Sequence, residues 1–279
     1  MTVVCVTGAS GTAGRAVTRA LVEAGHDVRS TDLVAPRDAL GSAFRTADLT
    51  DYGEAVEILS GAEVVVHLAG IPGGHLTTAT RVFHDNTTSS SNVLLAASRV
   101  GAKRVVWASS DTVLGVMFTP GSPPRYAPLD DEHGPQPKMT YALSKRLTEV
   151  AAEHVAGWSG MTIVGLRLSH IRDVDSYASL PAVWADPSLG QFNLWSYVDT
   201  RDVAGAVVGA VRADLRGSHN LLVAAADTVM DRPTLDLLTE RYPGVPLRRD
   251  LAEFESLMDC RRARELIGYV PRHSWRDMR

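Results

Sequence analysis

Short runs rich in β-branched residues alternate with longer stretches of helical hydrophobic spacing over the first 168 residues. The run 3–7, Val-Val-Cys-Val-Thr, reads as a first strand, and 11–24 as a helix with Gly25 at its C-cap. The spans 27–32 and 44–47 read as strands, 52–59 as a short helix and 63–68 as a fourth strand. A long polar helix is predicted over 79–100, a fifth strand over 103–108, a helix over 140–156 and a sixth strand over 161–168. Such regular alternation predicts a doubly wound α/β fold, a parallel sheet with helices on both faces.

Two stretches interrupt the rhythm. The span 116–138 carries Pro120, Pro123, Pro124, Pro128, Pro135 and Pro137, and a loop that long is usually functional or disordered. Beyond Leu168 the alternation turns irregular, and from Asp227 onward the chain reads as a small helical lobe with turns at Pro243-Gly244 and Gly268. The expected division is a sheet domain over 1–168, joined by returning segments over about 197–223, and a small lobe from 169–196 and 224–279.

Composition narrows the class. Of 279 residues 45% are hydrophobic and 22% charged, which excludes disorder, collagen and coiled coil. The net charge of −4 argues against a nucleic-acid or anionic-membrane partner. Cys5 and Cys260 make no disulfide framework. No apolar run reaches the roughly 20 residues of a spanning helix, and the N-terminus lacks a secretory pattern. A cytoplasmic location is expected. The nine histidines form no His-x-x-x-His pair with a helix acid, so no metal is expected.

Thr7-Gly8-Ala9-Ser10-Gly11-Thr12-Ala13-Gly14 places three glycines at spacing three between a strand and a helix. Gly8 permits the tight turn, Gly11 a close backbone approach to a pyrophosphate, and Gly14 close helix–strand packing. The helix start offers free N–H groups to phosphates, with Ser10, Thr12 and Ala13 around it. The context predicts a Rossmann-type dinucleotide site. Asp32, 18 residues after Gly14, suits ribose hydroxyls and favours NAD over NADP, a preference that Arg37 would soften. Asp48-Leu49 and Leu68-Ala69-Gly70 fall at later strand ends on the same sheet edge.

Tyr141 and Lys145 lie four apart on a predicted helix, hence on one face. A phenol is a weak base because its ordinary pKa is about 10, and a nearby ammonium favours the phenolate. The pair is suited to remove a hydroxyl proton, or to return one to a carbonyl. Ser109-Ser110 ends the fifth strand, where a hydroxyl can reach the reacting oxygen.

These motifs resemble the extended short-chain dehydrogenases/reductases, the NAD-dependent epimerase/dehydratase family. The resemblance continues through His67-Leu68-Ala69, Asn86, Asn92-Val93-Leu94, Leu166-Arg167, Tyr197-Val198-Asp199-x-Arg201-Asp202-Val203-Ala204 and a closing element over 263–271. It implies Ser110 as the residue orienting the substrate oxygen and Tyr141 as acid/base. Lys145 would bind the nicotinamide ribose and tune Tyr141. Asn86 would lie beside the cofactor or hold a helix start.

Departures from the family pattern sharpen the expectation. Ser110 is followed by Asp111-Thr112 rather than Asp-Glu, which argues against a dehydratase. Ser169-His170 stands where nucleotide-sugar enzymes carry Asn, and only residues 171–196 separate His170 from Tyr197. That short segment resembles uronate dehydrogenase, a small member acting on a free sugar acid. The expected function is hydride transfer between NAD and a hydroxyl or carbonyl of a small sugar-like substrate. The alternatives are a nucleotide-sugar 4-epimerase with retained NAD and a non-catalytic cofactor sensor. Ser109, Asp111, Thr112, His75, His170 and Arg172 are the candidate substrate contacts, with Asp111 equally suited to cap a turn and His170 to a structural role. Arg172 or Arg201 could pair with a carboxylate, and Arg201 equally with a structural acid. Trp184 and Trp195 are expected in packing rather than under a sugar ring. A homodimer through the long helix and the Tyr141 helix is expected.

Overall fold

A computed structural model describes residues 1–73 and 76–278. The alternation becomes β1 (Val3–Thr7), α1 (Thr12–Glu23), β2 (Asp27–Asp32), β3 (Ala43–Thr46), α2 (Tyr52–Leu59), β4 (Val64–His67), α3 (Ala79–Arg99) and β5 (Arg104–Ser110). It continues with α4 (Thr140–Ser159) and β6 (Thr162–Leu168). The irregular part contributes β7 (Ile171–Arg172), α5 (Leu180–Ala185), α6 (Ser188–Gln191), β8 (Val198–Asp199), α7 (Thr200–Arg212) and β9 (Ser218–Val223), then α8 (Thr234–Arg241) and α9 (Arg261–Ile267). Helix α4 runs three residues past its expected end, to where Gly160 takes φ 72° and stops it.

Seven strands stand in the order β3-β2-β1-β4-β5-β6-β9, every neighbouring pair parallel. The order runs outward in both directions from β1 and β4, so their carboxyl ends form the crevice where such sheets bind ligands. Val4, Val6 and Val66 pack against Val17 and Leu21 of α1 and Val203 and Val207 of α7. On the other face Cys5, Val65 and Val105 meet Leu94 and Ala97 of α3 and Ala152 and Val155 of α4. Both faces are covered, which is why the strands read as continuous apolar runs. Each such fully buried Val or Leu contributes about 1.5–3 kcal/mol.

A separate core forms from later segments: Phe118, Ala127 and Leu129 pack with Trp195, Tyr197, Leu237 and Met258. The proline-rich span is therefore an ordered wall. Its backbone is held by Ala127 N–H to Pro246 O at 3.0 Å and Leu129 N–H to Leu257 O at 2.8 Å. Trp195 is fully buried and its indole donates to Pro187 O at 2.7 Å, a packing role. The C-terminal segment is shared between the two cores. Leu237 and Leu238 of α8 join the second, while Ala263 and Ile267 of α9 join the sheet. Among the described residues no helix is long and apolar enough to cross a membrane.

Candidate active site

The turn after β1 is built around absent side chains. Gly8 sits at φ 71°, and a Cβ there would lie 2.4 Å from the Ala69 nitrogen. A Cβ on Gly14 would lie 2.0 Å from the Gly8 carbonyl oxygen, to which Gly11 N–H donates at 3.1 Å. Gly11 caps α1 without a side-chain bond, and the first turn holds no acid. That turn begins with exposed Thr12 and half-buried Ala13, and the first N–H groups of a helix have no partner within it. This cradle fits a pyrophosphate. Asp32 ties it to β2: its carboxylate accepts Ser10 N–H at 3.0 Å and Leu33 N–H at 2.8 Å. The Ser10 hydroxyl donates to Val34 O at 2.5 Å. A carboxylate has about four acceptor positions, so two N–H bonds leave room for ribose hydroxyls.

The neighbouring strand ends are held by their own polar clasps. The Asp48 carboxylate accepts the Thr50 N–H and hydroxyl at 2.9 and 2.7 Å, and Leu49 is buried. Asn92 donates to the carbonyls of Leu49 and Thr50, both at 3.0 Å. Leu68 N–H donates to Thr7 O at 3.1 Å. Asn86 closes on Ile71, accepting its N–H at 2.7 Å and donating to its carbonyl at 2.9 Å. A Cβ on Gly70 would lie 3.4 Å from Asn86 Oδ1 and 3.5 Å from Lys145 Nζ. Asn86 thus fixes the turn beside Lys145. His67 is bonded through Nδ1 to Thr7 at 2.8 Å and through Nε2 to Ser90 at 3.2 Å, and burial pushes it down to about 3, hence neutral.

Helix α4 brings Tyr141 and Lys145 against the end of β5. The Ser110 hydroxyl faces the Tyr141 phenol and favours its ionised form. Thr112 donates to Ser110 Oγ through its N–H at 3.2 Å and its hydroxyl at 2.9 Å. Lys145 is buried, donates to Ala108 O at 2.8 Å and stands 5.6 Å from the Tyr141 ring centre. Gly73 lies over that ring, where a Cβ would come within 3.1 Å of it. The expected lowering of the Tyr141 pKa is absent from the protein alone. Burial pushes the phenol up to about 12, with Asp111 adding to the rise and Ser110 opposing it. Desolvation also brings Lys145 down to about 8, and its ammonium donates to the Ala108 carbonyl.

Other candidates fall in different places. Ser109 donates to Glu149 at 2.9 Å, so the substrate contact expected of it is corrected: its hydroxyl serves a buried ion pair. Glu149 also holds Arg167 through two bonds at 2.9 and 3.1 Å. The sequence carried this signal: Tyr141, Lys145 and Glu149 repeat at spacing four, and Arg167 sits inside an apolar strand. Asp111 is buried, accepts Ser169 Oγ at 2.8 Å and is pushed up to about 7 by burial. Arg201 is held by Asp199 through two bonds at 2.8 Å, which makes it a structural partner. Arg172 bonds Ser179 Oγ at 3.2 Å and Ser176 O at 3.4 Å, and its buried Nε has no partner. His170 is exposed two residues before it. His133 is buried and bonded to Leu114 O at 2.9 Å, a packing position. His75 lies outside the described residues. Among the described residues no His, Cys, Asp and Glu cluster could hold a metal ion.

Comparison with known proteins agrees with this geometry. The model of the NAD dependent epimerase/dehydratase family matches residues 4–172. The UDP-glucose 4-epimerase of Corynebacterium glutamicum is 22% identical over 309 residues, covering 96% of this chain and 91% of that protein. The uronate dehydrogenase of Pseudomonas syringae pv. tomato is 26% identical over 170 residues, 58% of this chain and 57% of that one. An uncharacterized Mycobacterium tuberculosis protein is 36% identical over 108 residues, where the chain spans only 12% of the relative's length. Among solved structures, a short-chain dehydrogenase/reductase superfamily protein from Agrobacterium tumefaciens with bound NAD superposes with a TM-score of 0.76 at 22% identity. The match covers 99% of this chain and 94% of that one. The glycine cradle, the Ser110–Tyr141–Lys145 cluster and the matched family model agree: this chain belongs to the NAD dependent epimerase/dehydratase family.

Proposed function

We propose that the protein is an NAD-dependent oxidoreductase that interconverts a hydroxyl and a carbonyl on a small, polar, sugar-like substrate. The observation carrying this reading is the grouping of Ser110, the Tyr141 phenol and Lys145, beside a cradle that only glycines can form. The cradle and Asp32 would hold NAD, in preference to NADP because the carboxylate repels a 2′-phosphate. When bound, NAD accepts the hydride, and its positive charge favours the Tyr141 phenolate. Ser110 positions the reacting oxygen by hydrogen bonding. Tyr141 takes the hydroxyl proton during oxidation and returns one during reduction. Lys145 keeps positive charge beside the phenol below pH of about 8, the value to which burial brings it.

Arg172, with its unpartnered Nε, is the proposed contact for an anionic substrate group, since Arg201 already holds Asp199. His170, Asp111 and Thr112 are proposed neighbours of the substrate, and a second copy of the chain is the proposed partner. Leu95 of α3 and Leu143 and Leu147 of α4 are 40–44% exposed and would meet their copies in a homodimer. The proposed setting is the cytoplasm. Incubation with NAD and a panel of aldoses, uronic acids and polyols tests the reading: reduced nicotinamide should accumulate with one subset. The end-to-end match to a UDP-glucose 4-epimerase favours the second reading. It predicts instead that a UDP-sugar is interconverted with no net cofactor reduction.

A further inference from the structure

Lys145 carries its charge in a place with little to hold it. The side chain is buried, and its Nζ donates to the Ala108 carbonyl at 2.8 Å. Among the described residues it has no carboxylate partner. Of the titratable groups around it, His67 at the end of β4 is neutral, and Tyr141, one turn back on α4, is an uncharged phenol. Asn86 and the Gly70 turn, which stand against it from α3 and beyond β4, carry no charge. Burying an ammonium without an acid is costly, and one carbonyl offsets only part of that cost. The remaining neighbours are aromatic. Nζ stands over two rings, 5.6 Å from the centre of Tyr141 and 5.9 Å from that of Trp107. A ring face attracts a cation within about 6 Å, and tryptophan does so most strongly.

The sheet makes room for this indole. Trp107 of β5 is the register partner of His67 on β4 and of Gly165 on β6. A Cβ on Gly165 would lie 2.9 Å from Trp107 Nε1 and 3.0 Å from its Cε2, so a larger residue there would displace the ring. Trp107 is 1% exposed and packs with Ala152 and Val155 of α4, the helix that carries Lys145. Its indole N–H is buried and has no acceptor. A phenylalanine would fill an apolar core here without leaving a donor unpaired. What tryptophan adds is the electron-rich face over which the ammonium lies.

We infer that Trp107 is a positioning residue, whose indole face holds the Lys145 side chain in place as an ammonium beside the Tyr141 phenol. This role rests on the oxidoreductase reading, in which that positive charge favours the phenolate. A carboxylate in the same place would hold the lysine too, but its negative charge would oppose ionisation of the phenol. A neutral ring attracts the ammonium and leaves the field at Tyr141 positive. An ammonium has three hydrogens. Ala108 O takes one, and the ring face occupies no acceptor that a bound ligand would have to displace.

The chain has three lysines, Lys103, Lys138 and Lys145, so cofactor-free protein labelled with carbon-13 at lysine Cε gives three resonances that NMR can follow against pH. The Lys145 signal is the one lost in Lys145→Met. In Trp107→Leu its apparent pKa should fall by about one pH unit, a tenfold change in its ionisation constant, and in Trp107→Phe, which keeps a ring, by less. A second measurement leaves the buried shape alone. Growth on 5-fluorotryptophan replaces all five tryptophans and draws electron density from the ring face. It should move the Lys145 titration the same way by a smaller step, and the fluorine effect should be absent from Trp107→Leu. The other four stand elsewhere: Trp158 is exposed, and Trp184, Trp195 and Trp275 pack in the second core. With substrate and NAD, the pH at which kcat falls as Lys145 loses its proton should shift with the titration. A Lys145 titration unmoved by the fluorine would overturn the proposal, whether or not Trp107→Leu folds. A shifted titration in a protein that never reduces nicotinamide would overturn the oxidoreductase reading and leave the hold of Trp107 on Lys145 standing.

Discussion

Lys145 stands beside the Tyr141 ring and Asp111 raises its phenol, and burial moves the two groups in opposite senses. Lys145 is lowered to about 8 and Asp111 raised to about 7. Lys145→Met keeps the length of the side chain and removes its charge, and should lower kcat by about a hundredfold, as measured by steady-state nicotinamide reduction. For Asp111 the sign follows from linkage. Between its unfolded value of 3.8 and its folded value of about 7, the native state holds a proton that the unfolded chain has released. Its stabilising contribution is complete below pH of about 4 and is lost as pH rises through 7. Asp131, raised to about 6, acts in the same direction. Denaturant titrations at a series of pH values should therefore give a shallower fall in stability for Asp111→Asn than for the wild type. That Ser110, Tyr141 and Lys145 come together could be read from types and spacing. The raised phenol could not, because desolvation depends on what packs around it.

At the scale of elements, the turn from β1 into α1 is the most constrained piece. Gly14→Ala would force a methyl into the Gly8 carbonyl. Relieving the overlap should cost about 3 kcal/mol or more, read by urea unfolding, and calorimetry should find NAD binding weakened more than Tyr141→Phe weakens it. Asp32 reaches across from β2 to the same turn. Asp32→Asn removes the charge that opposes a 2′-phosphate, so the ratio of kcat/KM for NAD over NADP should fall. These elements were legible because glycine spacing and β-branched runs are local signals. The wall over 116–138 was not, since its prolines suggest a loose loop. Its order comes from backbone pairing with chain more than 100 residues later, such as Ala127 with Pro246. The same holds for Ser109, whose partner Glu149 is set by how α4 crosses β5.

For the molecule as a whole, the sheet order places the Asp48 turn, Asp32, the cradle, the Gly70 turn and Ser110 at the carboxyl ends of five successive strands. That convergence followed from the alternation of strand and helix. The pairing of Asp111 with Ser169 did not, because it joins residues 58 apart in sequence through folding alone. A homodimer through α3 and α4 would cover Leu95, Leu143 and Leu147, so Leu147→Arg should shift the sedimentation coefficient from dimer to monomer while leaving the fold intact by circular dichroism. The central claim is that the Tyr141 hydroxyl moves the proton in an NAD-linked oxidation. Its most direct test is the rate of nicotinamide reduction by wild type and Tyr141→Phe with the same sugar-like substrate, at equal occupancy by NAD. The account predicts a loss of about a thousandfold in the variant. A variant as fast as the wild type would contradict it.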